Sequence, residues 1–172
     1  MFLSKTLEEV QALVKQALID EPGLNLASFA GSHGLTEGEV TLALPTELVT
    51  SCSGQQTVPI LTQLANWGTL TTITHSCGSI FEFKGDFPKG RLSQGYYNIM
   101  GKAGLHGHLR VDLIEKIAFV SKSFHGMQTH FIGFYNQAGE CAFKVYLGRD
   151  KKRQLIVDQV TRFHSLQQEL CA

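Results

Sequence analysis

The stretch "EKIAFVSKSFHGMQTHFIGFYNQAGECAFKVYLG", residues 115–148, decides the fold. It breaks into three short runs, "EKIAFVSKSF", "QTHFIGFYN" and "CAFKVYLG", each rich in β-branched and aromatic residues. Such residues fit a pleated, half-buried surface, so the runs are predicted as strands. The link "NQAGE" (136–140) is a hairpin loop of the glycine-containing kind. Upstream, "LTTITHS", "SIFEFKG", "GYYNIMG" and "GLHGHLR" have the same character and are punctuated by Gly, Asn or Pro. Seven consecutive strand candidates with short links predict an antiparallel meander.

Helices flank these strands. Leu3, Leu7, Val10, Leu13, Val14 and Leu18 recur at three- and four-residue spacing and form one apolar stripe. Thr6 with Glu9 fits a capping box, and "DEPG" at 20–23 stops the helix. Asn25 caps a second, short helix that ends at Gly34. Thr36 with Glu39 is another capping box, opening a third helix that runs to Leu44 before Pro45. "TVPILTQLANWG" (57–68) is a further helix, with Pro59 tolerated in its first turn. At the other end "RQLIVDQVTRFHSLQQEL" places Ile156, Val160, Phe163, Leu166 and Leu170 on one side of a helix, with Asp150 as its cap. Lys151, Lys152 and Arg153 then fall in its first turn, against the helix dipole. The expected fold class is α+β: an antiparallel sheet meander, a small N-terminal helical unit (residues 1–45) and a C-terminal packing helix closing the sheet domain (residues 46–172).

Composition bounds the function. The chain has 172 residues, enough for a self-sufficient core. Fifteen Lys and Arg balance fifteen Asp and Glu, leaving no global field to attract nucleic acid or an anionic membrane. The second and third helices are spaced like a helix-turn-helix, but "TEGEVTLAL" carries two glutamates and no cation to meet phosphates, so DNA is not the expected partner. No run is long enough to span a bilayer, and the start "MFLSKTLEEV" lacks the apolar core of a secretory signal. Four cysteines, with no C-x-x-C among them, fit a cytoplasmic protein with reduced thiols. A small molecule or another protein is the expected partner.

Chemistry is concentrated in histidines. In "KAGLHGHLRVDL" (102–113), His106 and His108 are one residue apart and would share one face of a strand. That spacing suits an H-x-H metal site, yet a mononuclear zinc site needs a third ligand and none stands nearby, so two solvated side chains remain the alternative. His75 ends "LTTITHS" on the same face as Ile73, where a histidine is more often hydrogen-bonded than ligating. His125 sits at a strand-to-strand turn in "SFHGMQ". Nucleophile-elbow, P-loop, dinucleotide-fingerprint and H-E-x-x-H motifs are missing. Phe81, Phe83, Phe119, Phe131, Phe134 and Phe143 are mostly core, with some free to line a cavity for a flat apolar ligand.

The blocks "NWGTLTTITH", "FEFKGDFPKG", "GYYNIMGKAGLHGHL", "SKSFHGMQT", "FYNQAGECAFKVYLGRDKKRQL" and "DQVTRFHSL" together resemble, in order and spacing, the HutX/ChuX-type intracellular haem-utilisation proteins. The resemblance implies an antiparallel α+β homodimer that binds haem b non-covalently in the cytoplasm and hands it to a haem-degrading enzyme for iron acquisition. It implies a carrier without catalytic residues; an enzyme of haem or tetrapyrrole turnover is the alternative. The family's haem-binding histidines fall on His75 and His108 as axial candidates, whereas His106 occupies a position where the family requires no histidine. His125 stands as an alternative ligand. The haem propionates would need cations, for which Lys102, Arg110 and Arg149 are candidates. No C-x-x-C-H occurs for covalent attachment.

Overall fold

The computed structural model describes residues 5–171. Three helices come first: α1 (Leu7–Asp20), α2 (Leu26–Ser32) and α3 (Glu37–Leu42). Their starts are the expected ones. Thr6 and Glu9 form a reciprocal capping box, Asn25 accepts the Ser28 N–H, and Thr36 and Glu39 form a second box. The α1 stripe buries Val10 and Val14, while Leu3, counted in that stripe, lies outside the described residues. Helix α3 stops at Leu42, before the expected Leu44, with Ala43 as its C-cap. Helix α4 (Thr57–Leu64) carries Pro59 in its first turn, where a missing N–H costs nothing.

The described residues form nine strands, the seven expected from the sequence and two additions, β1 and β4: β1 (Val49–Ser53), β2 (Thr69–Ser76), β3 (Ser79–Asp86), β4 (Gly90–Ser93), β5 (Tyr96–Ile99), β6 (Gly107–Leu109), β7 (Ile114–Phe124), β8 (Met127–Asn136) and β9 (Cys141–Tyr146). All pairings are antiparallel. The meander is present as three pieces: the hairpin β2-β3, the small meander β4-β5-β6 and the long meander β7-β8-β9. The pieces join out of sequence order. β9 pairs with β2 and β1 with β7, giving one six-stranded sheet β1-β7-β8-β9-β2-β3 beside a separate three-stranded sheet β4-β5-β6. Three two-residue hairpins share one device. Cys77-Gly78, Gln94-Gly95 and His125-Gly126 each hold both residues at positive φ, the backbone of a type I′ turn.

The large sheet divides the core. On one face α1–α3 bury Val10, Val14, Leu26 and Val40 against Ala118, Val120, Phe131 and Tyr135. On the other, α4, the small sheet and α5 (Val157–Leu170) bury Leu61, Leu64, Tyr97, Ile99 and Phe163 against Phe119, Ile132, Phe134 and Val145. Burial of these side chains is the main force holding the layers. A buried amide locks α5 in place: Gln159 donates to the carbonyls of Trp67 and Thr69 and accepts the Gly148 N–H.

The C-terminal helix starts later than the sequence suggests. Its N-cap is Ile156, with no side-chain cap bond, so Asp150 is not its cap. Asp150 instead accepts from the backbone N–H of Lys152 and Gln154 and closes a tight turn. Lys151, Lys152 and Arg153 therefore lie outside the helix, and the expected clash with its dipole does not arise.

Candidate functional site

Alternation along β2 decides where His75 points. Leu70 belongs to the core beneath α5, so Thr71, Ile73 and His75 face the other way, toward the N-terminal helices. Neighbouring strands add same-face partners: Ile80 opposite His75, Glu82 opposite Ile73, Lys84 opposite Thr71 on β3, and Lys144 and Tyr146 on β9. Between this strip and the segment Leu24–Ser28 lies a cavity of about 460 Å³. Its apolar walls include Ile73, Ile80, Phe124 and Phe131, the last stacked on Tyr146 at 4.9 Å. Glu37, at the start of α3, reaches in from the helical side.

The cavity is electrically organised. Glu37 and Lys144 form an ion pair at 2.6 Å with both side chains below one-tenth exposed. The other carboxylate oxygen of Glu37 lies 3.9 Å from His75 Nδ1. That places negative charge behind the imidazole and leaves Nε2 on its far side. His75 itself is 32% exposed, so its ring is reachable. Lys84, Lys122 and Arg149 also line the cavity, and Glu82 is its second acid. Four cations against two carboxylates leave the cavity positive. Burial pushes the Tyr146 hydroxyl well above the usual phenol range, and the Cys141 thiol up to about 12, so both are neutral at physiological pH.

His108 is built differently. It lies on β6, opposite Asn98 on β5, and its Nδ1 is 2.6 Å from Asn98 Oδ1. The Asn98 amide nitrogen is committed to the carbonyls of Arg91, Ser93 and Tyr96. Its oxygen must therefore face His108, which makes Nδ1 the donor and leaves the Nε2 lone pair free. Tyr96 packs edge-on against the ring at 5.8 Å.

The structure does not bring His75 and His108 together. Tyr97, Ile99, Leu105 and Leu109 place the small sheet on the α4 and α5 side of the six-stranded sheet, whereas His75 opens on the α1–α3 side. His106 precedes β6 and is exposed, so the H-x-H pair is not held on one regular strand. Among the described residues no group of three His, Cys, Asp or Glu is placed to hold a metal ion. His125 occupies the first position of the β7-β8 turn with φ 48°, its ring 4.1 Å from that of Phe124, one residue beyond the cavity wall. Arg110 is tied to Asp112 by two hydrogen bonds of 2.8 and 2.7 Å, and Lys102 is exposed in the loop before β6. Neither lines the His75 cavity; of the cations singled out from the sequence, Arg149 does. Glu37, Lys84, Lys122, Lys144 and Tyr146 were not singled out, and strand alternation was the one signal that could have placed Lys144 and Tyr146 beside Ile73.

The fold and site define a small α+β protein with an imidazole in a positively charged, aromatic-walled cavity. The family described as haem utilisation ChuX/HutX matches residues 50–166, and the chain belongs to it. It is 48% identical over 168 residues to the intracellular heme transport protein HutX of Vibrio cholerae, covering 97% of this chain and 87% of that one. A crystal structure of a protein from Erwinia carotovora superposes with a TM-score of 0.85 at 37% identity, over 97% of this chain and 99% of that one. The heme binding protein ChuX superposes with a TM-score of 0.82 at 32% identity, over 93% and 97% respectively.

Proposed function

We propose that this protein binds haem b non-covalently inside the cell and carries it to a haem-degrading enzyme, with His75 as an axial ligand. The observation that carries this is the His75 cavity. Haem is an apolar disc with two carboxylates and an iron that accepts neutral imidazole, and the cavity offers aromatic walls, cations and a free Nε2. His108 is the second axial candidate, its Nε2 presented by the Asn98 clamp. One chain cannot supply both histidines to one iron, because they face opposite sides of the large sheet. A homodimer answers this: among the described residues strand β3 is an unpaired edge carrying the exposed Ile80 and Phe81, and a second copy can supply His108 to an iron held at His75. Lys102 and Arg110, on the His108 side, would serve propionates only in that arrangement, and His125 is the reserve ligand at the cavity rim.

The test is a haemin titration followed by absorbance, with His75→Ala and His108→Ala alongside and the oligomeric state measured by light scattering. A saturable Soret shift at one haem per chain, altered by either substitution, is expected. No saturable shift would refute haem binding, and variants that both behave as wild type would move the ligand to His125. Carriage is separable from turnover. Haem bound to a carrier moves to apomyoglobin and keeps its Soret band under ascorbate with catalase present, whereas bleaching that catalase does not suppress would make the protein an enzyme.

A further inference from the structure

Lys122 is in an unusual place for a lysine. On β7 it follows Ala118 and Val120 on the face packed by the N-terminal helices, both fully buried. The next residue of that row would ordinarily be apolar. Lys122 is instead a cation with 4% of its surface exposed. Burying an ammonium is costly unless charge or hydrogen bonds compensate it. Its neighbour in the cavity, Lys144, is compensated by Glu37. Lys122 has no such partner: the ion pairs among the described residues do not include it.

The ammonium is held by neutral groups. Nζ donates to the Leu24 carbonyl at 2.8 Å and to the Ser123 carbonyl at 2.7 Å. An ammonium has three N–H donors, so one is left over. Lys122 lines the same cavity as His75, and the Phe124 ring lies 5.8 Å from its nitrogen. Burial pushes its pKa below the usual lysine range, and the acid that most opposes this, Glu21, is beyond ion-pair distance. The site thus has a positioned donor, an uncompensated charge and an opening on the ligand cavity. A carboxylate entering that cavity would meet the third N–H and neutralise the charge.

We propose that Lys122 anchors a carboxylate of the ligand held in the His75 cavity, which makes that cavity selective for carboxylated tetrapyrroles over neutral ones. The proposal rests on the haem assignment of the cavity. A purely structural lysine, one that only staples the α1–α2 connection to the sheet through Leu24, would not discriminate between ligands by their carboxylates.

The experiment is a titration of the full-length protein with haemin and with haemin dimethyl ester in the same cosolvent. Wild type, Lys122→Met and Lys122→Arg are compared, with thermal melts to verify folding. Wild type is expected to prefer haemin by roughly tenfold, the usual scale of one charge-assisted hydrogen bond. Lys122→Met should bring the two affinities within about threefold by weakening haemin alone, and Lys122→Arg should restore part of the preference. Equal loss of both ligands in a folded Lys122→Met variant, or an unchanged preference, would overturn the assignment. His75→Ala in the same series separates the two levels. If both ligands bind and His75→Ala alters neither, the cavity is not the haem site and the Lys122 anchor falls with it.

Discussion

Replacing Glu37 with leucine probes the link between the helical unit and the His75 cavity. The substitution keeps the bulk of the side chain and removes the charge 2.6 Å from Lys144 Nζ. Lys144 is 8% exposed at its side chain, so its ammonium is left in a weakly solvated place with no counter-charge. Breaking a buried pair by removing one partner costs about 3–5 kcal/mol. For a chain of this length that corresponds to a fall in Tm of about 6–20 °C. The lower end holds if the lysine stem swings its head toward the cavity opening. The double variant Glu37→Leu/Lys144→Met removes both charges and should recover most of the loss, since paired burial contributes little beyond an apolar pair. Urea unfolding of the two single variants, the double variant and wild type gives the cycle. A Glu37→Leu variant less than about 1 kcal/mol below wild type would refute the idea that this pair is desolvated. So would a double variant as unstable as the single one.

Asn98→Leu removes the acceptor that orients His108 and should weaken haemin binding by about 10-fold or more, the usual effect of losing a group that positions a metal-binding histidine, as read by the same Soret titration. Gly54→Ala places a methyl group against the Ile114 carbonyl and should cost about 1–3 kcal/mol in urea unfolding, because backbone cannot yield as a side chain does. His130 is buried behind Phe163, and burial followed by the nearby His164 and Arg149 charges lowers its pKa from the ordinary 6.5. The unfolded chain therefore binds a proton more readily than the native one, so stability falls as pH drops below 6.5 until the lowered native pKa is passed. His130→Asn should flatten the urea-midpoint profile on the acid side of 6.5, and an unchanged slope there would remove His130 as its source.

Local signals were legible and their assembly was not. Capping boxes at Thr6 and Thr36 involve neighbours three residues apart, so the sequence displays them directly. The β-branched and aromatic runs announced β2, β3 and β5–β9 for the same reason, whereas β4, the short "GRLS" paired to β5, was missed. Strand β1 escaped notice because "VTSCS" is short and polar and becomes a strand only by pairing with β7. Asp150 looked like a helix cap because an acceptor before a helical stripe is the ordinary signature, but a turn closed by two backbone donors satisfied it first. At the site, His75 and His108 were both visible as residues, and what hid their relation was topology. The β9-β2 pairing and the separate small sheet, which put them on opposite sides, depend on contacts between segments tens of residues apart.

The location of the cavity follows from how far the helices reach. On their side of the large sheet, α1–α3 cover the β7 and β8 portion, where Ala118, Val120, Phe131 and Tyr135 are buried and apolar. Beyond that cover the same face continues across β9, β2 and β3 with Tyr146, His75, Glu82 and Lys84. The change from apolar to charged residues along one sheet face marks where the helical layer ends and the cavity opens. Two positions break the pattern by carrying charge into buried ground: Lys144, answered by Glu37 from the helical unit, and Lys122, answered only by carbonyls. A core selected for stability alone would hold apolar residues at both. The charge answered within the chain couples the helices to the wall that bears His75, and the charge left unanswered is the one a carboxylated ligand can complete.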